Sequence, residues 1–458
     1  MTEADFRDWE RQLATANACS HPIRLRGSIT AIDLTTGETA TTYTTDAEPG
    51  RVLHVACGNR RESACPACSA TYKRDARQLV RSGLAGGKGI PETIAEHPCV
   101  FATFTAPSFG PVHARRERGG KVLPCRPRRD ARKRVCPHGR DISCPIRHHE
   151  EDSRLGRPMC PDCYDYETAV VFNASAGDLW RRFTTYLPRQ LARMMAVTQK
   201  ELRSLVRLRF VKVAEYQARG AVHYHAIIRI DAHTGDDSYA PPPEHWTADV
   251  LSDAIQAAAS VASVTADVGT TGKTLLVRFG AQTEPRVIRS GTSAALTRTA
   301  VANYIAKYAT KAADAPGLPS YRIRSRLELQ ALRCAPHYRR LIETAWALGY
   351  TQWAHCLGYG GHFLTKSRRF SVTFGQIRGE RLAYRKAQRH PDGELDPWGR
   401  IVDETTVLLI GDWHYAGSGY QASDSHALAL MSAANARKGP VTHLRLAIHS
   451  PSAREPKS

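Results

Sequence analysis

"VKVAEYQARGAVHYHAIIRID", residues 211–231, is the most informative stretch of the chain. Both halves are rich in Val, Ile and Tyr, and "RGA" between them supplies turn chemistry. The stretch therefore reads as a β-hairpin with a three-residue loop centred on Gly220. Side chains alternate along a strand, so His223 and His225 project to one face. That register sets Gln217 opposite His223 and Glu215 opposite His225, and cross-strand partners share a face. A His-x-His tripeptide alone is usually one polar face of a sheet. Here an oxygen ligand of matching parity joins the two imidazoles. Two nitrogens plus oxygen, with positions left for water and phosphate, suit magnesium or manganese better than a closed zinc cage.

Three segments work outward from this hairpin. "CVFATFTAPSFGPVHARR" (99–116) alternates like a strand through Thr105, then meets turn residues. "AVVFNASAGDLWRRFTTYLPRQLARMMAV" (169–197) reads as a strand followed by an amphipathic helix around Trp180 to Met195. "NYIAKYATK" (303–311) places Tyr304 and Tyr308 one helical turn apart, with Lys307 and Lys311 each three residues after a tyrosine. Ala302, Ile305, Ala306 and Ala309 already supply an apolar face to that helix, which makes two polar-tipped rings an uneconomical choice for core packing.

Eight of the 12 cysteines fall into two groups of metal-ligand character. Cys57, Cys65 and Cys68 end in a Cys-Pro-x-Cys knuckle, with Cys19 as the best fourth ligand and His54 as the fallback. Between Cys19 and that group, "PIRLRGSITAIDLTTGETATTYTTD" reads as a β-hairpin that returns the chain. Cys136, Cys144, Cys160 and Cys163 form the second group, with Cys125, His138, His148 and His149 close enough to compete. Two structural zinc ions are expected, since complete thiolate sets leave no open position for substrate. Cys99, Cys334 and Cys356 stand apart and read as buried free thiols.

A length of 458 residues implies two or three domains, and 42% hydrophobic with 24% charged residues is ordinary globular composition. The 64 Lys and Arg against 44 Asp and Glu give a formal charge of +20, which points to a polyanionic partner. Basic residues cluster at 113–121, 125–134 and 366–389, interleaved with aromatics that can stack on bases. The N-terminus is acidic and polar without the apolar run of a secretory signal, and no stretch approaches eighteen uninterrupted apolar residues. The expectation is a cytoplasmic protein with no membrane partner, in which the cysteines serve metals rather than disulfides.

Together, "FATFTAPSFGP", "HYH" and "NYIAKYATK" resemble the motifs of the HUH endonucleases, and within them the two-tyrosine rolling-circle replication initiators. With the Cys-rich N-terminal third, "CPDCYDY" and "GHFLTKSRRFSVTFGQIRGER", the likeness is closest to the initiators of actinobacterial plasmids and integrative elements. It runs from about Cys19 to about Arg385. Tyr224 departs from the aliphatic residue usual between the two histidines. The resemblance implies an α+β fold, with a central antiparallel sheet flanked by helices, and a single-stranded DNA endonuclease and strand transferase. Tyr304 and Tyr308 would be alternating nucleophiles assisted by Lys307 and Lys311, giving a 5'-phosphotyrosine and a free 3'-hydroxyl. His223, His225, Glu215 and Gln217 would hold the catalytic Mg2+ or Mn2+.

This reading divides the chain into a zinc-ribbon-like module at 1–95, a nuclease domain at 96–315 with a Cys-rich insertion at about 111–165, and a basic helical or mixed region at 316–458 with a disordered tail. Arg368, Arg369 and Arg378 are the candidates for binding duplex origin DNA. No G-x-x-x-x-G-K-[ST] motif occurs, so a host helicase and a polymerase are expected as partners alongside single-stranded and duplex origin DNA. A two-tyrosine single-strand transposase and a non-enzymatic zinc-dependent DNA-binding regulator are the competing readings.

Overall fold

The structure, a computed structural model, describes residues 12–128, 134–235, 239–288, 298–311, 318–319, 321–389, 397 and 406–420. It is mixed α+β with antiparallel sheets. Its contacts divide into two compact units, Met1–Thr71 with His390–Ser458, and Tyr72–Arg389. The boundaries expected near 95 and 315 both fall inside the span of the second unit. The expected disordered tail lies outside the described residues.

The first unit is built on the long strand Ile23–Asp33, which pairs antiparallel with Thr39–Thr44, with Leu53–Val55 and with the late strand Val407–Ser418. The hairpin read between Cys19 and Cys57 is thus present. The Asp33 carboxylate closes its turn by accepting from the backbone N–H groups of Thr35 and Thr36.

The second unit is organised by a five-stranded antiparallel sheet in the order Thr283–Val287, Cys99–Phe104, Val222–Ala232, Val206–Tyr216, Leu364–Lys366. Its centre is the His-x-His strand, buried along nearly its whole length. Strand alternation then sorts the side chains. The even-numbered Ala214, Val222, Tyr224, Ala226 and Ile228 belong to a large core with Trp180, Phe183 and Phe104. The odd-numbered Val211, Val213 and Ile227 join a second core with Ile305 and Ala309 of the helix Arg298–Lys311 and Leu79 of the helix Pro66–Ala85. The sheet therefore separates two apolar layers, and the histidines share their face with the tyrosine helix.

Residues 169–197 do not begin as a strand. A single helix, Tyr166–Met194, runs through them. The Asp165 side chain caps its N-terminus by accepting from the Thr168 N–H at 2.9 Å. Buried Ala169, Phe172, Ala176, Leu179, Phe183, Leu187 and Leu191 then recur at spacings of three and four, which outweighs the local β-propensity of "AVVF".

Candidate active site

The hairpin forms with a longer loop than its sequence suggests. Tyr216 pairs with Val222, so Glu215 lies opposite His223 and Val213 opposite His225. The register differs by two residues from the expected one, which preserves the face of every ligand and changes only the partners. Gln217 lies just beyond the paired residues: its N–H donates to the Ala221 carbonyl at 2.9 Å, and its side-chain oxygen accepts from Arg219 Nε at 3.0 Å. Arg219 explains the longer loop, because its guanidinium reaches the carbonyls of Ala106 and Pro107 at 2.8 and 2.7 Å. That tie holds the turn against the chain leaving the strand Cys99–Phe104. Gly220, at φ 77°, follows in a backbone conformation that suits glycine.

Glu215, His223 and His225 offer ligand atoms within 4.8 Å of one another. His225 Nε2 is 3.1 Å from Glu215 Oε1, and its Nδ1 is 3.3 Å from Thr103 Oγ1. Thr103 faces His225 in the sheet register, so its hydroxyl meets the site. Phe101 stacks on the His225 ring at 5.7 Å and meets Tyr304 edge-on at 5.6 Å. His223 is 8% exposed, and its Nδ1 is a buried polar atom without a hydrogen-bond partner. Burial first, then neighbouring His225 and Arg219, holds its pKa down to about 3. At neutral pH it is an uncharged imidazole with a lone pair to give, the form a metal ligand requires.

The helix Arg298–Lys311 brings both tyrosines to this group. The Tyr304 hydroxyl lies 3.5 Å from His225 Nε2, and the Tyr308 ring centroid is 5.2 Å from that of His225. Burial, followed by Tyr308 and Glu215, pushes the Tyr304 phenol well above its ordinary value, so it needs a nearby cation to ionise. Exposed Lys307 places its Nζ 5.9 Å from the Tyr308 ring centroid. Lys311 ends the helix, and its side chain lies outside the described residues. A cavity of about 430 Å³ opens on Thr103, His223, His225 and Tyr304, with Glu284 and Arg286 on its rim. Those last two were not foreseen; they come from an edge strand interrupted by Pro285, a segment with little strand signature.

The cysteines form three groups rather than two. Cys19, Cys57, Cys65 and Cys68 come together as expected, with Cys19 as the fourth member and His54 outside the set. Their Sγ contacts of 3.6 Å (Cys19–Cys65) and 3.7 Å (Cys57–Cys68) exclude disulfides and approach the edge of a zinc–thiolate tetrahedron, about 3.8 Å for Zn–S bonds of about 2.3 Å. The second expected set divides. Cys136, Cys160 and Cys163 take His138 as their fourth member, while Cys144 joins Cys125, His113 and His148. Exposed His149 belongs to neither. The division was hidden because His113 lies twelve residues before Cys125, too far for a local spacing signal. All these groups can hold metal ions such as zinc.

In the basic region Arg368 is exposed and Arg369 half-buried. Arg378 ion-pairs at 3.0 Å with Asp75, a buried carboxylate that also meets Arg381. No helix among the described residues is long and apolar enough to cross a membrane.

The family described as RepSA, replication initiator protein of pSAM2, matches residues 5–434. The chain belongs to this family. A replication initiator protein of Streptomyces ambofaciens is 42% identical over 433 residues, covering 92% of this chain and 88% of that protein. No solved structure matches. The initiator function expected from the sequence is therefore established at the level of the family, and the Glu215–His223–His225 group with its two tyrosines belongs to a replication initiator.

Proposed function

We propose that this initiator starts rolling-circle replication by nicking one strand of its origin, as the HUH resemblance implies. The observation that carries the reading is the convergence of Tyr304 and Tyr308 on His225, within a group of two histidines and a carboxylate beside the cavity. A tyrosine oxygen attacks the scissile phosphorus and the P–O3' bond breaks. The phenolic proton passes to solvent, and the departing 3'-oxygen takes a proton to become the hydroxyl that a host polymerase extends. The products are a 5'-phosphotyrosine and a 3'-end, and the ester keeps the phosphodiester energy for rejoining.

Glu215, His223 and His225 would hold Mg2+ or Mn2+, which supplies positive charge to the non-bridging phosphate oxygens. Thr103 and Phe101 fix the His225 ring, while Lys307 and Arg286 add positive charge near the attacking oxygen. With Tyr304 bound to the old strand end, Tyr308 remains on the same face to attack the regenerated origin, or the reverse. A host helicase opens the duplex, and Arg368, Arg369 and Arg378 are proposed to contact duplex origin DNA. The match to replication initiators favours this reading over a two-tyrosine transposase, and the metal–tyrosine constellation favours it over a regulator without catalysis.

The test is covalent capture. Wild type incubated with single-stranded origin DNA and Mg2+ or Mn2+ should yield a protein–DNA adduct that denaturants do not separate. Tyr304→Phe combined with Tyr308→Phe should abolish it. An adduct surviving the double replacement would falsify the assignment.

A further inference from the structure

We propose that residues 113–163 form a cross-braced module holding two zinc ions, with His113, Cys125, Cys144 and His148 around one and Cys136, His138, Cys160 and Cys163 around the other. The two groups interleave along the chain. The first and third ligand pairs meet in one site, and the second and fourth meet in the other. The stretch that closes each site encloses a ligand pair of the other, Cys136 and His138 within 113–148 and Cys144 and His148 within 136–163, so closing one constrains the path of the other.

The segment has little else to fold around. Among its described residues only Cys125, Cys136, Cys144, His148, Gly156 and Cys160 are buried, and all but Gly156 belong to the two groups. A stretch without an apolar core needs a metal or a disulfide to order it, and all of these cysteines are free.

The local geometry fits zinc. His148 Nδ1 is 2.7 Å from Asp152 Oδ2, which leaves Nε2 facing Cys144 Sγ at 3.5 Å. A carboxylate behind a histidine is the usual outer support of a metal-bound imidazole. The Ala114 N–H donates to Cys125 Sγ at 3.2 Å, as backbone amides do toward bound thiolates. His113 Nδ1 is buried with no hydrogen-bond partner. In the other group His138 Nδ1 lies 3.1 Å from Cys163 Sγ and 3.8 Å from Cys160 Sγ. For Zn–S near 2.3 Å and Zn–N near 2.0–2.1 Å, the tetrahedral S···N edge is about 3.6 Å. A backbone bridge between Arg126, next to Cys125, and Cys144 ties the two ligand pairs of the first group together, and another between Val135 and Asp141 closes the loop that carries Cys136 and His138.

The test counts metal on the full-length protein purified with zinc. His113→Ala with His148→Ala should lower the zinc content by one ion per chain, and Cys160→Ser with Cys163→Ser should lower it by one independently. Combining all four should remove two. If the histidine pair leaves the content unchanged, or the two pairs together remove only one ion, the cross-brace is wrong. His148→Cys guards against simple unfolding. It should retain the full metal content, and in cobalt-substituted protein it should intensify the thiolate-to-cobalt absorption by one thiolate's worth. Full metal content with an unaltered cobalt spectrum would also overturn the proposal.

Discussion

The rings of Tyr304 and Tyr308 lie 4.5 Å apart, centroid to centroid, and each packs within about 5 Å of the same imidazole, that of His225. One helical turn thus presents two phenols to one site, and neither needs the helix to move for the other to approach. If the two alternate, either single Tyr→Phe replacement should still form a covalent adduct with single-stranded origin DNA. Both single variants should fail to release closed single-stranded circles after a full round. Circle release by a single variant at the wild-type rate would rule out alternation.

The sheet register makes a sharp distinction between Glu215 and Gln217. Glu215→Ala is expected to reduce metal-dependent nicking by at least about 10–100-fold, the range found for groups that support a metal site. Gln217→Ala should stay within a few-fold of wild type, since its side chain is engaged with Arg219. Thr103→Val, which removes the hydroxyl at His225 Nδ1, should cost on the order of tenfold. Nicking rates across a metal titration check all three.

Lys212 lies on the opposite face of the sheet, 4% exposed, with its ammonium 4.1 Å from the centroid of the Tyr224 ring. Burial holds its pKa down to about 7. The unfolded chain therefore binds the proton more tightly, and stability should rise with pH between about 7 and the ordinary lysine value. Lys212→Met should stabilise the protein below pH 7 by up to on the order of 4 kcal/mol, at about 1.4 kcal/mol per pKa unit. The advantage should shrink toward pH 10. Melting curves of both proteins across that range give the comparison.

The three arginines proposed for DNA should separate in a binding assay. Arg368→Ala and Arg369→Ala should each weaken duplex binding and reduce the slope of log affinity against log salt by about 1. Arg378→Ala should act partly through stability, because it removes a partner of buried Asp75. Its melting temperature should fall where that of Arg368→Ala, at an exposed position, does not.

Gly156 has φ 79°, and a Cβ there would stand 2.1 Å from the carbonyl carbon of Ala218 in the hairpin loop. Tyr164, just beyond Cys163, donates to the Arg219 carbonyl at 3.1 Å. Gly156→Ala should cost about 1–3 kcal/mol from backbone strain alone. It should also slow nicking by displacing the loop, although Gly156 is not part of the site. Nicking at the wild-type rate in folded Gly156→Ala protein would show that the loop does not need this support.

Much of the site was legible because it depends on parity and period. Alternation put Glu215, His223 and His225 on one face, and a four-residue spacing put both tyrosines on one helical face. The register itself was not legible, because Arg219 sets it by reaching carbonyls more than a hundred residues earlier in the chain. The helix start at Tyr166 was obscured by β-branched residues whose helical burial appears only once the sheet is beneath them. The partition of the Cys-rich segment was obscured for a similar reason: ligands of one group are separated by ligands of the other, so nearest-neighbour spacing assigns them wrongly.

The two-residue difference in the hairpin has a wider consequence. A strand pair can slip by an even step and still present the same chemistry, because every side chain returns to its own face. An odd step would turn His223 and His225 into the layer occupied by Trp180 and bring Tyr224 toward the tyrosine helix. The metal group is thus insensitive to one class of error in the turn and defenceless against the other. Arg219, pinned to Ala106 and Pro107, acts as the latch that keeps the count even.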